Sequence, residues 1–174
     1  VTIEFFDCKK IIKKTFDFTY FTPYIEKKYP VYEKMDFICI GGIILMNLTK
    51  NLIEKVIVNM KYERNTKNIL KYAELQNQDS PKIVVTEILP NSIVHNVNVI
   101  KKYDIISEIN DKKIISIEDV RKNLLKPLKN KKDMFIKFKT EDNTESVFEL
   151  KNILENETNM VDTFQYTKDE VFKK

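Results

Sequence analysis

Tyr103-Asp104-Ile105-Ile106-Ser107-Glu108-Ile109-Asn110-Asp111-Lys112-Lys113-Ile114 is the stretch that decides the fold. Its β-branched residues lead into the turn formers Asn110-Asp111-Lys112, and Lys113-Ile114-Ile115 resumes the extended pattern, so it predicts a hairpin. Upstream, Lys82 to Leu89 reads as a strand ended by the turn Pro90-Asn91-Ser92. Downstream, Ser116-Ile117-Glu118-Asp119 resembles a capping box with Asp in place of Glu. It opens a predicted helix with Val120, Leu124 and Leu125 on one face, acidic residues first, Arg121, Lys122 and Lys126 later, and Pro127 as its limit. Met134 to Lys139, the turn Glu141-Asp142-Asn143 and Ser146 to Leu150 form a second predicted hairpin.

Further out lies the most unusual compositional feature. The chain has two glycines, and they are adjacent, inside the apolar run Phe37-Ile38-Cys39-Ile40-Gly41-Gly42-Ile43-Ile44-Leu45-Met46. At ~7% average usage a chain this long would carry roughly a dozen. The pair therefore marks a place that only glycine serves, with a strand on each side of a bend. Two readings stand: a bulge that only bends the sheet, or a concavity of backbone N–H groups that attracts a phosphate or a peptide carboxylate. Apolar residues from Thr66 to Gln78 recur at helical spacing behind a cap at Asn65 or Thr66, and a last helix is expected around Ile153 to Val161. The first 30 residues carry Phe5, Phe6, Phe16, Phe18, Tyr20, Phe21, Tyr24 and Tyr29 without a clean period, with turns at Pro23 and Pro30. They read as short extended pieces lying across a core.

Composition excludes several functions. With 30 Lys+Arg against 26 Asp+Glu, the net charge is +4 and the basic residues are scattered, so no nucleic-acid stripe is expected. No apolar run reaches the ~20 residues of a membrane span. Cys8 and Cys39 stand in no CxxC or Cys/His cluster, which favours a reducing, intracellular compartment or organelle and no metal site. The single histidine, His95, has no neighbouring nucleophile, and two glycines cannot write a phosphate-binding loop or a nucleophile elbow. Neither catalysis nor a cofactor is expected of this chain. Val1-Thr2-Ile3-Glu4 has neither an initiator Met nor a leader pattern, which reads as a processed form or an excised piece.

The order of elements resembles the PDZ domain family. Val84 to Ser92 is similar to its strand and Pro-Gly-Ser-Pro-like turn, and Asp104, Ile106, Ile109 and Asn110 match its Gly-Asp-x-Ile-x-x-Ile-Asn-Gly hairpin, with Tyr103 and Asp111 at its two glycines. Ile40-Gly41-Gly42-Ile43 falls where the family carries its carboxylate-binding loop. The run Phe37-Ile38-Cys39-Ile40-Gly41-Gly42-Ile43, a polar insertion with a helix, the late hairpin and the helical tail look like the second PDZ domain of plant-type Deg/HtrA (DegP-like) serine proteases.

The resemblance implies an α+β, mainly β fold: a partly open antiparallel barrel or sandwich capped by two helices, with a C-terminal helical extension. Residues 1–30 would be a connector and strand from a preceding PDZ domain, 31–150 the PDZ body and 151–174 the helical tail. The implied peptide-binding site is Ile40, Gly41, Gly42, Ile43, Ile44 and Leu45 facing Val120 and Leu124, with a segment adding as a strand beside Ile43 to Leu48. Gly41 stands where the family has an apolar wall, so a segment of the same or a neighbouring subunit is expected there in preference to a free C-terminus. The implied partners are an upstream protease domain and further copies in a homo-oligomer engaged in protein quality control. A free-standing adaptor for protein C-termini is the alternative.

Overall fold

The computed structural model describes residues 2–7, 10–16, 24–59, 66–129, 135–169 and 172, with 125–129 by their backbone alone. The expectations at Cys8, Phe18, Tyr20, Phe21, Pro23, Asn65 and Met134, and for the Leu125 side chain, lie outside these residues.

The fold is α+β and mainly β, with no closed barrel. One sheet joins β3 (Phe37–Ile40), β4 (Ile43–Asn47), β5 (Ile83–Ile88), β6 (Ile105–Ile109), β8 (Phe135–Thr140) and β9 (Glu145–Glu149) in that order. The short β7 (Lys112–Lys113) pairs with β6. A separate two-stranded sheet pairs β1 (Thr2–Asp7) with β2 (Lys10–Thr15). The aromatics of the first 16 residues thus do not lie across a core: Phe5 is 43%, Phe6 71% and Phe16 46% exposed.

Alternation along β5 and β6 divides the interior into two layers. Ile83, Val85 and Ile106 belong to the larger cluster, with Ile38, Ile40, Ile43 and Leu45 beneath Val120 and Leu124 of α4 (Ile117–Lys129) and Ile153 of α5 (Leu150–Phe164). Val84 and Ile105 point the other way, into a cluster with Ile25, Leu48, Ile53, Val56, Ile69, Tyr72 and Tyr103. The period of two in strands makes both faces apolar here. The sheet needs helical cover on both.

That second face explains two differences from the sequence reading. Helix α1 (Lys50–Val58), not anticipated, starts where Thr49 Oγ1 accepts the Leu52 amide, and it buries Ile53 and Val56. The expected helix over 66–77 breaks into α2 (Lys67–Leu70) and two 3₁₀ turns, Lys71–Ala73 and Leu75–Asn77, because Glu74 is extended at ψ 130°. Its tertiary partners overrule its helical period. Tyr72 is drawn inward with its hydroxyl donating to Glu141, and the Gln78 side chain closes on the Tyr72 carbonyl at 2.8 Å. A further short helix, α3 (Ile93–Val97), follows the Ser92 cap and places His95 on an exposed helical turn.

Pro127 does not stop α4, which runs to Lys129. Proline removes the N–H that would bond the carbonyl four residues back. The Asn123 carbonyl is instead bonded at 3.2 Å by the side-chain amide of Asn110, the first residue of the β6–β7 turn. Ser116 caps this helix as expected, its hydroxyl accepting the Asp119 amide at 3.1 Å while the Asp119 carboxylate accepts the Ile115 amide.

Candidate functional site

Gly41 and Gly42 are the two residues of the tight turn between β3 and β4, with Ile40 paired to Ile43. Both have positive φ, +57° and +88°. Ser92, cap of α3, presses against Gly42 so closely that a Cβ there would stand 2.1 Å from Ser92 Cβ. Main-chain bonds hold the turn from outside: the Leu89 amide donates to the Gly42 carbonyl at 2.8 Å, and the Val94 amide to the Gly41 carbonyl at 3.4 Å.

The Gly41 N–H is directed at an acid. It donates at 3.4 Å to Oε2 of Glu157, a residue of α5 with no solvent exposure. Glu157 Oε1 accepts the Tyr166 hydroxyl at 2.6 Å. Burial pushes the Glu157 carboxyl above its ordinary pKa, and the bonds from Tyr166 and Gly41 partly oppose this. Cys39 packs beside Tyr166, and burial pushes its thiol up to about 11. Leu89, Met160 and Ile44 enclose the cluster.

Of the residues expected to bind a peptide, Ile40, Ile43, Leu45, Val120 and Leu124 do come together, but each is wholly buried in the main core. Ile44 points the opposite way and is half-buried beside Cys39 and Tyr166. A segment cannot add beside Ile43 to Leu48, because β4 is paired with β3 on one edge and β5 on the other. The outer strand on this side is β3. Arg121 of α4 reaches across to it with a forked pair to Asp36 at 2.7 and 2.8 Å, a bond to the Phe37 carbonyl at 3.3 Å, and a third contact to Asp169 at 3.0 Å. Phe172 packs against the main core. The chain's own C-terminal segment therefore lies beside this edge.

Sequence reasoning missed Glu157 and Tyr166. Glu157 stands 116 residues from Gly41, so no local pattern links them. The available signal was a carboxylate in the apolar stripe of a helix, between Ile153 and Met160. Elsewhere, Asp104 accepts the Lys101 amide at 2.8 Å and the Asn68 side chain at 3.1 Å, and pins the loop before β6. Among the described residues no three His, Cys, Asp or Glu side chains are grouped to hold a metal ion, and no helix is long and apolar enough to cross a membrane.

The chain belongs to the PDZ domain family, whose pattern matches residues 27–170. PDZ domains are non-catalytic modules that bind peptides or protein segments. No curated protein matches the chain.

Proposed function

We propose that this chain is the non-catalytic PDZ module of a Deg/HtrA-like serine endopeptidase, binding a segment of the same or a neighbouring subunit and so governing oligomer assembly and proteolysis in quality control. Residues 1–30 then serve as the connector from a preceding PDZ domain, 31–150 as the binding body and 151–174 as its helical tail. The observation that carries the reading is the glycine turn at the end of the outer strand β3, with α4 alongside and a main-chain N–H turned toward a carboxylate. An outer strand beside an apolar helix is suited to strand addition, and the turn's N–H groups suit an acidic group at one end of the added segment. The bound segment lies along β3, Gly41 and Gly42, with Ile44 beside it. Ile40, Ile43, Leu45, Val120 and Leu124 form the floor beneath.

The test is to express the complete reading frame containing this chain, with and without residues 27–170, and to follow casein hydrolysis and oligomer mass. Casein cleavage that depends on an upstream domain, with assembly lost on deletion, supports the reading. A full-length product with no peptidase activity overturns it in favour of the adaptor.

A further inference from the structure

Glu157 is a carboxylate at a position on α5 whose neighbours are apolar. Its neighbours along the inner face of α5 are Leu150, Ile153 and Met160, and it is wholly shielded from solvent. Burying a carboxylate is expensive unless hydrogen-bond donors replace water. Here the donors are the Gly41 amide and the Tyr166 hydroxyl, one on each oxygen, while Lys168 acts through its charge. Two donors converging on one planar acid in an enclosed space is a carboxylate site, and one of its donors belongs to the only glycine pair in the sequence.

We propose that the Gly41 amide and the Tyr166 hydroxyl form a carboxylate-binding site that Glu157 fills as a tethered ligand, closing the glycine turn to any outside acid until α5 withdraws. This rests on the reading above that the turn is one end of the segment-binding surface. Position and chemistry both support it. Glu157 supplies the same planar, two-oxygen group as a chain terminus. The tail beyond it is fastened at Tyr166 and again at Asp169 through Arg121, so helix and tail hold the acid in place. An outside segment ending in a carboxylate competes with an acid already present at high effective concentration.

Chemical rescue tests this without any partner. In Glu157→Ala the two donors face an empty space the size of a small carboxylate. Replacing sodium chloride by sodium acetate at equal ionic strength, to about 100 mM, should raise its melting temperature by roughly 2–5 °C. Wild type and Glu157→Gln should not respond. An equal response in all three proteins, or none in a folded Glu157→Ala, overturns the proposal.

Should Glu157→Ala not fold, ¹⁵N-glycine labelling of wild type and Glu157→Gln serves instead, since two glycines yield two amide peaks. The titratable and charged groups facing Glu157 are Tyr166, Cys39 and Lys168. The Gly41 peak should move with a carboxyl titration above the ordinary range in wild type and stay fixed through that range in Glu157→Gln. The same movement in both proteins, or none in wild type, overturns the site. Neither measurement involves proteolysis or assembly, so a failure here is distinct from a failure of the proposed function.

Discussion

Backbone conformation at single residues shows how a chain with two glycines turns its corners. Asn91, Asn98, Tyr103, Asn110, Asp111, Asn143 and Gln165 all take positive φ, most of them asparagines, whose short amide tolerates the left-handed region. Tyr103 and Asp111, which replace the two glycines of the family hairpin, keep the glycine conformation at φ +74° and +59°. Asp111 is exposed, so Asp111→Gly should raise stability by about 0.5–1 kcal/mol, measured by urea denaturation. Gly42 behaves oppositely. A methyl group there meets both a positive φ and Ser92, whereas one at Gly41 meets Ile153 at an ordinary 3.4 Å. Gly42→Ala should therefore cost about 3 kcal/mol and Gly41→Ala about 1–2. Ser92→Gly should recover part of the Gly42→Ala loss in the double mutant; additive losses would mean that the contact is not the cause.

Among elements, α4 depends on the β6–β7 turn and on the strand it crosses. Asn110 accepts the Lys137 amide at 2.9 Å while donating to the Asn123 carbonyl that Pro127 leaves open. Asn110→Gly keeps the backbone freedom and loses both bonds, which should cost about 1–3 kcal/mol. In a Pro127→Ala background, where a helix N–H again reaches Asn123, that cost should fall by about 1 kcal/mol in a double-mutant cycle. The clasp of Arg121 on Asp36 is pH-dependent. Its guanidinium, bonded to the carboxylate, holds the Asp36 pKa below the ordinary 3.8, although burial opposes this. The pair's contribution is therefore fully present above 3.8 and is lost as pH falls through the depressed value. Both side chains are partly exposed, so Arg121→Gln should lower stability at pH 7 by no more than about 1 kcal/mol. Melts from pH 7 to pH 2 should show that difference closing below 3.8.

For the molecule as a whole, the β1–β2 hairpin and the main sheet differ in kind. The main sheet is buried between two apolar layers, while among the described residues the hairpin forms a separate two-stranded sheet and exposes Ile3, Phe5, Phe6 and Ile11. Such a hairpin is marginal alone, and exposed apolar clusters of this type mark association surfaces. Deleting residues 1–16 should leave the melting temperature of the remainder within about 2 °C and reduce self-association at high concentration. Thermal melts and light scattering check the two halves. A large drop in melting temperature would show that the hairpin belongs to the core.

Local order was legible in the residues themselves. The hairpin at Asn110-Asp111, the Ser116 cap, the late β8–β9 hairpin and the need for glycine at the 41–42 turn follow from turn chemistry and period, which act within a few residues. What lay beyond reach was set by contacts distant in sequence. The break at Glu74 follows from Tyr72 bonding Glu141, and the passage of α4 through Pro127 from Asn110 supplying the missing donor. Closure of β4 on both edges and burial of Ile40, Ile43, Leu45, Val120 and Leu124 followed from packing, because an apolar residue reads the same in sequence whether it lines an open groove or a closed core. Residue types and spacing determined the strands, turns and family pattern of this chain. Tertiary structure alone decided that Glu157 would meet Gly41, because only the folded sheet brings together two groups 116 residues apart and removes the water that would otherwise satisfy both.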